Sequence, residues 1–318
     1  LGKFSLDSRD AVSDGRWWAE GTPIWETADQ HGLRTATMFW PGSEADIRGH
    51  HPDYWKPFDG KLTSDQRVDQ VLAWLDLPAA ERPGFLTLYF DAVDHAGHVY
   101  GPDTAQVNDA LRETDAAMAR LVLGLKQRGL FERINLIVLA DHGMADVPES
   151  NSVMIDQLIP LDQVKTVSMG ILAGFNPKSE SPGARVDFAK IEQTLERPHP
   201  HMQCWDKTRV PARLAYGKNP RVPQLLCLAN VHWRITTSDY AAKRKDRLSL
   251  GEHGYDNAEP LMQALFVAHG PAFRVGAKVP AFPNVDVYPL MTHLLDLPAA
   301  ANDGDYDAVK DMLKPAAR

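Results

Sequence analysis

The sequence predicts an α/β protein whose mostly parallel central sheet carries helices on both faces, with a smaller inserted lobe. Three observations predict it. Apolar, strand-like runs alternate with amphipathic helical stretches over residues 22–140, the rhythm breaks over about 151–250 where Pro and Gly become frequent, and it resumes from 261. Strands separated by helices are joined by crossovers, which favours parallel pairing in a sheet buried on both sides.

Taken in order, "TPIWETADQHG" (22–32) reads as a helix, with Thr22 as the expected N-cap, Pro23 at the first helical position and Gly32 just past the end. "LRTATMFW" (33–40) follows as a strand, and Trp40, an aromatic ending a buried strand, is expected in the core. A helix over about 64–75 leads to the strand "GFLTLYFDA" (84–92), and an amphipathic helix over roughly 103–128 leads to the strand "INLIVLA" (134–140). The stretches "NPKSESPG", "RPHPH" and "YGKNPRVPQ" then interrupt the pattern. "LMQALFVAHG" (261–270) and a helix near 285–296 restore it. The expected division is a core built from 1–150 and 251–318, with 151–250 as the insertion or smaller lobe.

With 44% hydrophobic and 24% charged residues, a chain of 318 residues can bury a large core. A net charge of −8 offers no basic field for a nucleic-acid polymer, so a phosphate-bearing ligand needs a local device such as a metal ion. No stretch has the length of an apolar membrane span. The start, Leu1-Gly2-Lys3-Phe4, has neither an initiator Met nor a signal-peptide pattern, and the chain is expected to begin inside a longer protein. Cys204 and Cys227 allow at most one disulfide and do not settle the compartment.

Three clusters fall where strand ends or irregular loops are expected, the usual place for ligand sites in open parallel sheets. Asp94 and His98 lie in "YFDAVDHAGHVYGP" (89–102), Asp141 and His142 in "VLADHGM", and His253 in "LSLGEHGYDN". The Asp-x-x-x-His spacing puts both side chains on one face if the segment is a helical turn; its bland reading is a solvated loop. A His between glycines often marks only a turn. Together, the three clusters offer oxygen and nitrogen donors without thiolates, which points to zinc with manganese as competitor. His50, His51, His199 and His201 sit in Pro-rich loops without a carboxylate cluster and read as surface residues. Asp91 is either a partner orienting the ligands or a solvent-facing acid.

"FWPGSE" (39–44), "YFDAVDHAGHVYGP" (89–102), "LADHGM" (139–144), "GEHGYDN" (251–257), "MQALFVAHGPAF" (262–273) and the late "NDG" (302–304), in this order, resemble the nucleotide pyrophosphatase/phosphodiesterases of the alkaline phosphatase superfamily, in their simpler bacterial form. The resemblance implies an alkaline phosphatase-like fold and two zinc ions per site. Asp94, His98 and His253 match the ligands of one ion, and Asp141 and His142 match part of the other ion's set. Tyr89 and Phe58 match the aromatics that stack the nucleotide base, with core packing as the bland reading of both; Trp40 is a further candidate for the same pocket. A third Asp and the Thr nucleophile would lie before Leu1, in an N-terminal segment of the same protein and possibly on a separate chain. No catalytic nucleophile is therefore assigned within this chain; Thr22, at a helix start, is explained by capping.

The activity implied is hydrolysis of a nucleotide phosphodiester or pyrophosphate bond, releasing a nucleoside monophosphate through a phospho-threonine intermediate. The location implied is periplasmic or secreted. Two other readings remain at this point: a metal-dependent phosphomonoesterase or mutase of the same superfamily, and a noncatalytic zinc-stabilised binding module.

Overall fold

The computed structural model describes residues 9–179, 181–244 and 248–315, so the Leu1–Phe4 start lies outside the described residues. In chain order the elements are α1 (Arg9–Ser13), α2 (Ile24–Gln30), β1 (Thr35–Met38), β2 (Tyr54–Trp55), α3 (Ser64–Leu75), β3 (Phe85–Leu88), α4 (Ala92–Tyr100), α5 (Ala105–Gln127), β4 (Leu136–Leu139), β5 (Ala145–Asp146), β6 (Ser152–Met154), β7 (Val164–Ser168), β8 (Leu172–Pro177), α6 (Pro182–Leu195), β9 (Met202–Asp206), β10 (Leu225–Ala229), β11 (Arg234–Thr236), α7 (Ser238–Lys243), β12 (Gly251–Glu252), β13 (Phe266–His269) and α8 (Val287–Leu294). The predicted helix at 64–75 and the strands at 33–40, 84–92 and 134–140 are all present, each strand shorter than its apolar run. The chain divides into two compact units, the first from Leu1–Asp91, Arg112–Leu139 and Phe266–Arg318, the second from Ala92–Leu111 and Ala140–Leu265. The expected insertion, 151–250, lies wholly within the second.

In the first unit β1 is hydrogen-bonded in parallel to both β2 and β3, with Ala36 opposite Tyr54 on one side and Leu86 on the other. The run at 261–270 supplies β13, which pairs antiparallel with β4, Phe266 opposite Leu139. α3 starts from a reciprocal capping box in which the Thr63 side chain accepts from Gln66 N and Gln66 Oε1 accepts from Thr63 N. It buries Val68, Val71, Leu72 and Leu75 against Ala36, Met38 and Phe39, joined by Leu121 and Leu125 of α5. Two expectations fail here. α2 begins at Ile24, with the extended Pro23 in the N-cap position and no side-chain cap, so Thr22 is not the N-cap. Trp40 is 38% exposed, because the strand ends at Met38 and the chain turns away before it.

In the second unit β7, β8, β10 and β9 form an antiparallel sheet in that order, and α6 packs Phe188, Ile191 and Leu195 into the core with Phe175, Met202 and Leu225. Cys204 of β9 and Cys227 of β10 sit directly opposite each other and form a disulfide. Two further pairs complete the unit: β11 runs parallel to β6, and β12 runs antiparallel to β5.

Candidate metal centre

Every predicted metal-ligand residue lies in the second unit, and local structure brings the three clusters together. Residues 92–100 are helical, not a loop, so Asp94 and His98 stand one turn apart on one face of α4. Asp141 and His142 lead into β5, and His253 directly follows β12. Their antiparallel register, Gly251 opposite Asp146 and Glu252 opposite Ala145, carries His253 back alongside His142. The two imidazoles stack, with ring centroids 3.5 Å apart and planes 13° from parallel. α4 meets β12 backbone to backbone, since a Cβ on Gly251 would lie 2.3 Å from Gly97 O. Gly143 is equally confined, its would-be Cβ 2.0 Å from Leu261 O. Gly251 and Gly143 are therefore requirements of close approach, whereas Gly254, with φ +87° and open space around its Cα, is the turn glycine.

Asp94 Oδ1 is the hub. It lies 3.4 Å from His98 Nε2, 3.6 Å from His253 Nε2 and 3.9 Å from His142 Nε2, and His142 Nε2 lies 3.4 Å from Asp141 Oδ2. One ligand atom each from Asp94, His98 and His253 fall within 4.8 Å of one another, the only such metal-sized group among the described residues. His98 Nδ1 is 2.8 Å from Gly251 O, and His142 Nδ1 is 2.9 Å from Gly143 O. A carbonyl oxygen can only accept, so each Nδ1 carries the proton and each Nε2 presents a lone pair. Asp94 Oδ1 is buried and has no hydrogen-bond partner. Lone pairs thus converge on an unpartnered carboxylate oxygen, an arrangement that costs free energy unless a cation sits among them. The donor set and its charge fit a divalent ion.

Burial, then the neighbouring His142, push the His253 imidazole down to about 4, with His98 adding to the repulsion and the Asp94 and Asp141 carboxylates opposing it. The sign of the resulting linkage is fixed. An unfolded chain protonates His253 near the ordinary value of about 6.5, whereas the metal-free fold resists, so the contribution to stability is present above that pH and lost as pH falls toward 4. NMR titration of metal-free protein is expected to place the His253 midpoint near 4. Thermal unfolding should show a steeper loss of stability between about 6.5 and 4 than His253→Gln does. A midpoint near 6.5 would contradict this environment.

In the first unit Phe58 and Tyr89 come together edge to face, ring centroids 6.4 Å apart, both resting on the core beside α3. Sequence reasoning missed Arg67. It is 3% exposed, its guanidinium lies 5.3 Å from the Phe39 ring centroid and 5.7 Å from that of Phe58, and its Nη1 donates to Tyr89 O and to Asp91 Oδ1. Its signal was an Arg in register with Val71 and Leu75 on the apolar stripe of "SDQRVDQVLAWL". Asp91 is the counter-charge of Arg67, and its side chain is still 34% exposed, so it also faces solvent as one of the two expectations had it. Among the histidines set aside, His50 pairs with Asp29 at 3.0 Å, His51 stacks on Trp55, and His201, half-buried, stacks on Trp233 at 3.4 Å.

Residues 1–256 match the type I phosphodiesterase/nucleotide pyrophosphatase family. The chain is 37% identical to a venom phosphodiesterase of Crotalus durissus collilineatus over 98% of its own length and 37% of that protein's. It is 35% identical to human ectonucleotide pyrophosphatase/phosphodiesterase family member 1, over 98% of its own length and 33% of that protein's. It thus spans about a third of the length of these relatives. Among solved structures, murine ectonucleotide pyrophosphatase/phosphodiesterase 5, an inactive variant in complex with AMP, superposes with a TM-score of 0.89 at 30% identity, covering 98% of this chain and 79% of that one. An α/β fold of this likeness, together with a family match over most of the chain, places it: the protein belongs to the type I phosphodiesterase/nucleotide pyrophosphatase family.

Proposed function

We propose that this chain carries the metal-holding part of a centre that hydrolyses nucleotide phosphodiester or pyrophosphate bonds and releases a nucleoside monophosphate. The observation that carries the reading is the buried, unpartnered Asp94 Oδ1 faced by three imidazole nitrogens, in a chain of this family. Asp94, His98 and His253 would hold one ion, and Asp141 and His142 would contribute to a second; mixed oxygen and nitrogen donors favour zinc, with manganese as competitor. Such ions, when bound, would supply positive charge for the phosphate and lower the pKa of a hydroxyl nucleophile, for which the family resemblance implies a threonine and a phospho-threonine intermediate. The residues of this chain hold His98 and His142 as Nδ1–H tautomers, keep His253 neutral and place the Asp94 charge among them. AMP held by the murine relative is the product class expected here.

Phe58 and Tyr89 supply aromatic faces for the base. Stacking contributes roughly 1–3 kcal/mol per base and discriminates little among bases. Tyr89→Ala is expected to raise KM for nitrophenyl nucleotide esters about tenfold while leaving nitrophenyl phenylphosphonate little affected. Equal losses on both substrates would assign Tyr89 to packing alone. The Cys204–Cys227 disulfide supports an oxidising, periplasmic or secreted location. No helix of the described residues is long and apolar enough to cross a membrane.

The whole protein, loaded with zinc, is expected to turn over a nitrophenyl ester of a nucleoside monophosphate faster than nitrophenyl phosphate. The reverse preference would favour a phosphomonoesterase, and tight zinc binding without turnover of either would leave the binding module.

A further inference from the structure

Arg234, in β11, is 5% exposed, and no carboxylate lies within ion-pair distance of it among the described residues. A buried guanidinium without a contacting counter-charge is expensive and calls for a reason. Its Nη2 donates to two backbone carbonyls, Val147 O at 2.9 Å and Ser249 O at 2.5 Å. Val147 continues the segment that carries Asp141 and His142 through β5, and Ser249 opens the segment that carries β12 and His253. Val147 N also donates to Leu250 O, closing the same joint from the other side. From this joint the second segment reaches α4: Leu250 N donates to His98 O, and both Ser249 Oγ (3.2 Å) and Gly251 O (2.8 Å) face His98 Nδ1.

We propose that Arg234 is a positioning residue for the metal centre, fastening the 141–147 and 249–253 segments to each other so that Gly251 O fixes the His98 tautomer and His253 meets His142. The inference rests on the reading of these histidines and aspartates as metal ligands. Both bonds come from one nitrogen, Nη2, while Nε makes none, so the role calls for a charged donor at that reach, and a lysine ammonium, one bond shorter, falls short of it.

The test uses the whole protein and zinc alone as probe. Arg234→Met, which keeps an unbranched apolar stem and loses the donors, is expected to lower zinc affinity by about ten- to hundredfold in competition with a chromophoric chelator, the range for groups that orient ligands. In the metal-free protein, nitrogen–proton correlation spectra should change His98 from a single Nδ1–H tautomer to a mixture. Arg234→Lys should recover part of both. A folded Arg234→Met with unchanged zinc affinity and an unchanged His98 tautomer would overturn the proposal. Should Arg234→Met not fold, the same two measurements on Arg234→Lys decide, and wild-type values there overturn it too. Failure of the underlying reading looks different: the wild-type protein would not bind zinc, or Asp94→Asn would bind it as tightly.

Discussion

Asp94→Asn is expected to reduce zinc affinity more than about a hundredfold, beyond the loss typical of groups that only orient ligands, and at the same time to stabilise the metal-free protein. Both effects come from one atom. Asp94 Oδ1 is the charge on which His98, His142 and His253 converge, so an amide there removes the anionic donor. Without metal the same oxygen is buried and accepts no hydrogen bond. The amide's N–H can donate to a facing Nε2, relieving an unsatisfied buried group by about 1 kcal/mol. Elemental analysis after dialysis and thermal unfolding in chelator check the two halves. A variant that retains two equivalents of zinc, or whose metal-free form melts below the wild type, contradicts the geometry described.

Removing the disulfide has the next largest expected effect. Cys204 and Cys227 are 23 residues apart in sequence and lie buried in the core of the second unit. Closing a loop of that length restricts the unfolded chain by roughly 3 kcal/mol in the chain-entropy account. Cys204→Ala with Cys227→Ala is expected to lower stability by about that amount in denaturant unfolding. A smaller midpoint shift than the loop term requires would mean that the reduced chain keeps these two strands together. The pair is a bridge between neighbouring strands, so metal content should be unchanged in the folded variant.

The helices and strands of the first unit were legible because their sequence periods agree with their environment: "SDQRVDQVLAWL" has a helical apolar stripe and a capping box, and "FLTL" and "LIVL" are apolar runs of strand length. Four of the proposed ligands stood out as acids and imidazoles that closely follow such runs, and His253 stood out between the glycines of "GEHG". Three things were not. The helix at 92–100 was ambiguous because its glycine and its polar residues also suit a loop. The cap of α2 turned on one residue, and Thr22 and Pro23 are both plausible starts until the backbone is seen. Arg67 and Arg234 escaped notice because a charged residue in an apolar stretch reads as solvent-facing unless its partners are known, and those partners, Asp91, Val147 O and Ser249 O, come from 24 residues or from 87 and 15 residues away.

The backbone-to-backbone seating of α4 on β12 bears on how this centre can change over evolutionary time. The groups that set the His98 and His142 tautomers are the carbonyls of Gly251 and Gly143, which every residue type possesses. Side chains that touch neither these carbonyls nor Arg234, which fastens the strand carrying one of them, can drift without disturbing the two tautomers. The vulnerability is steric, because a single added methyl at either glycine would drive into a main-chain oxygen, Gly97 O or Leu261 O, and separate the ligand segments. Two positions without side chains are thus held by sterics alone, whatever the residues around them become.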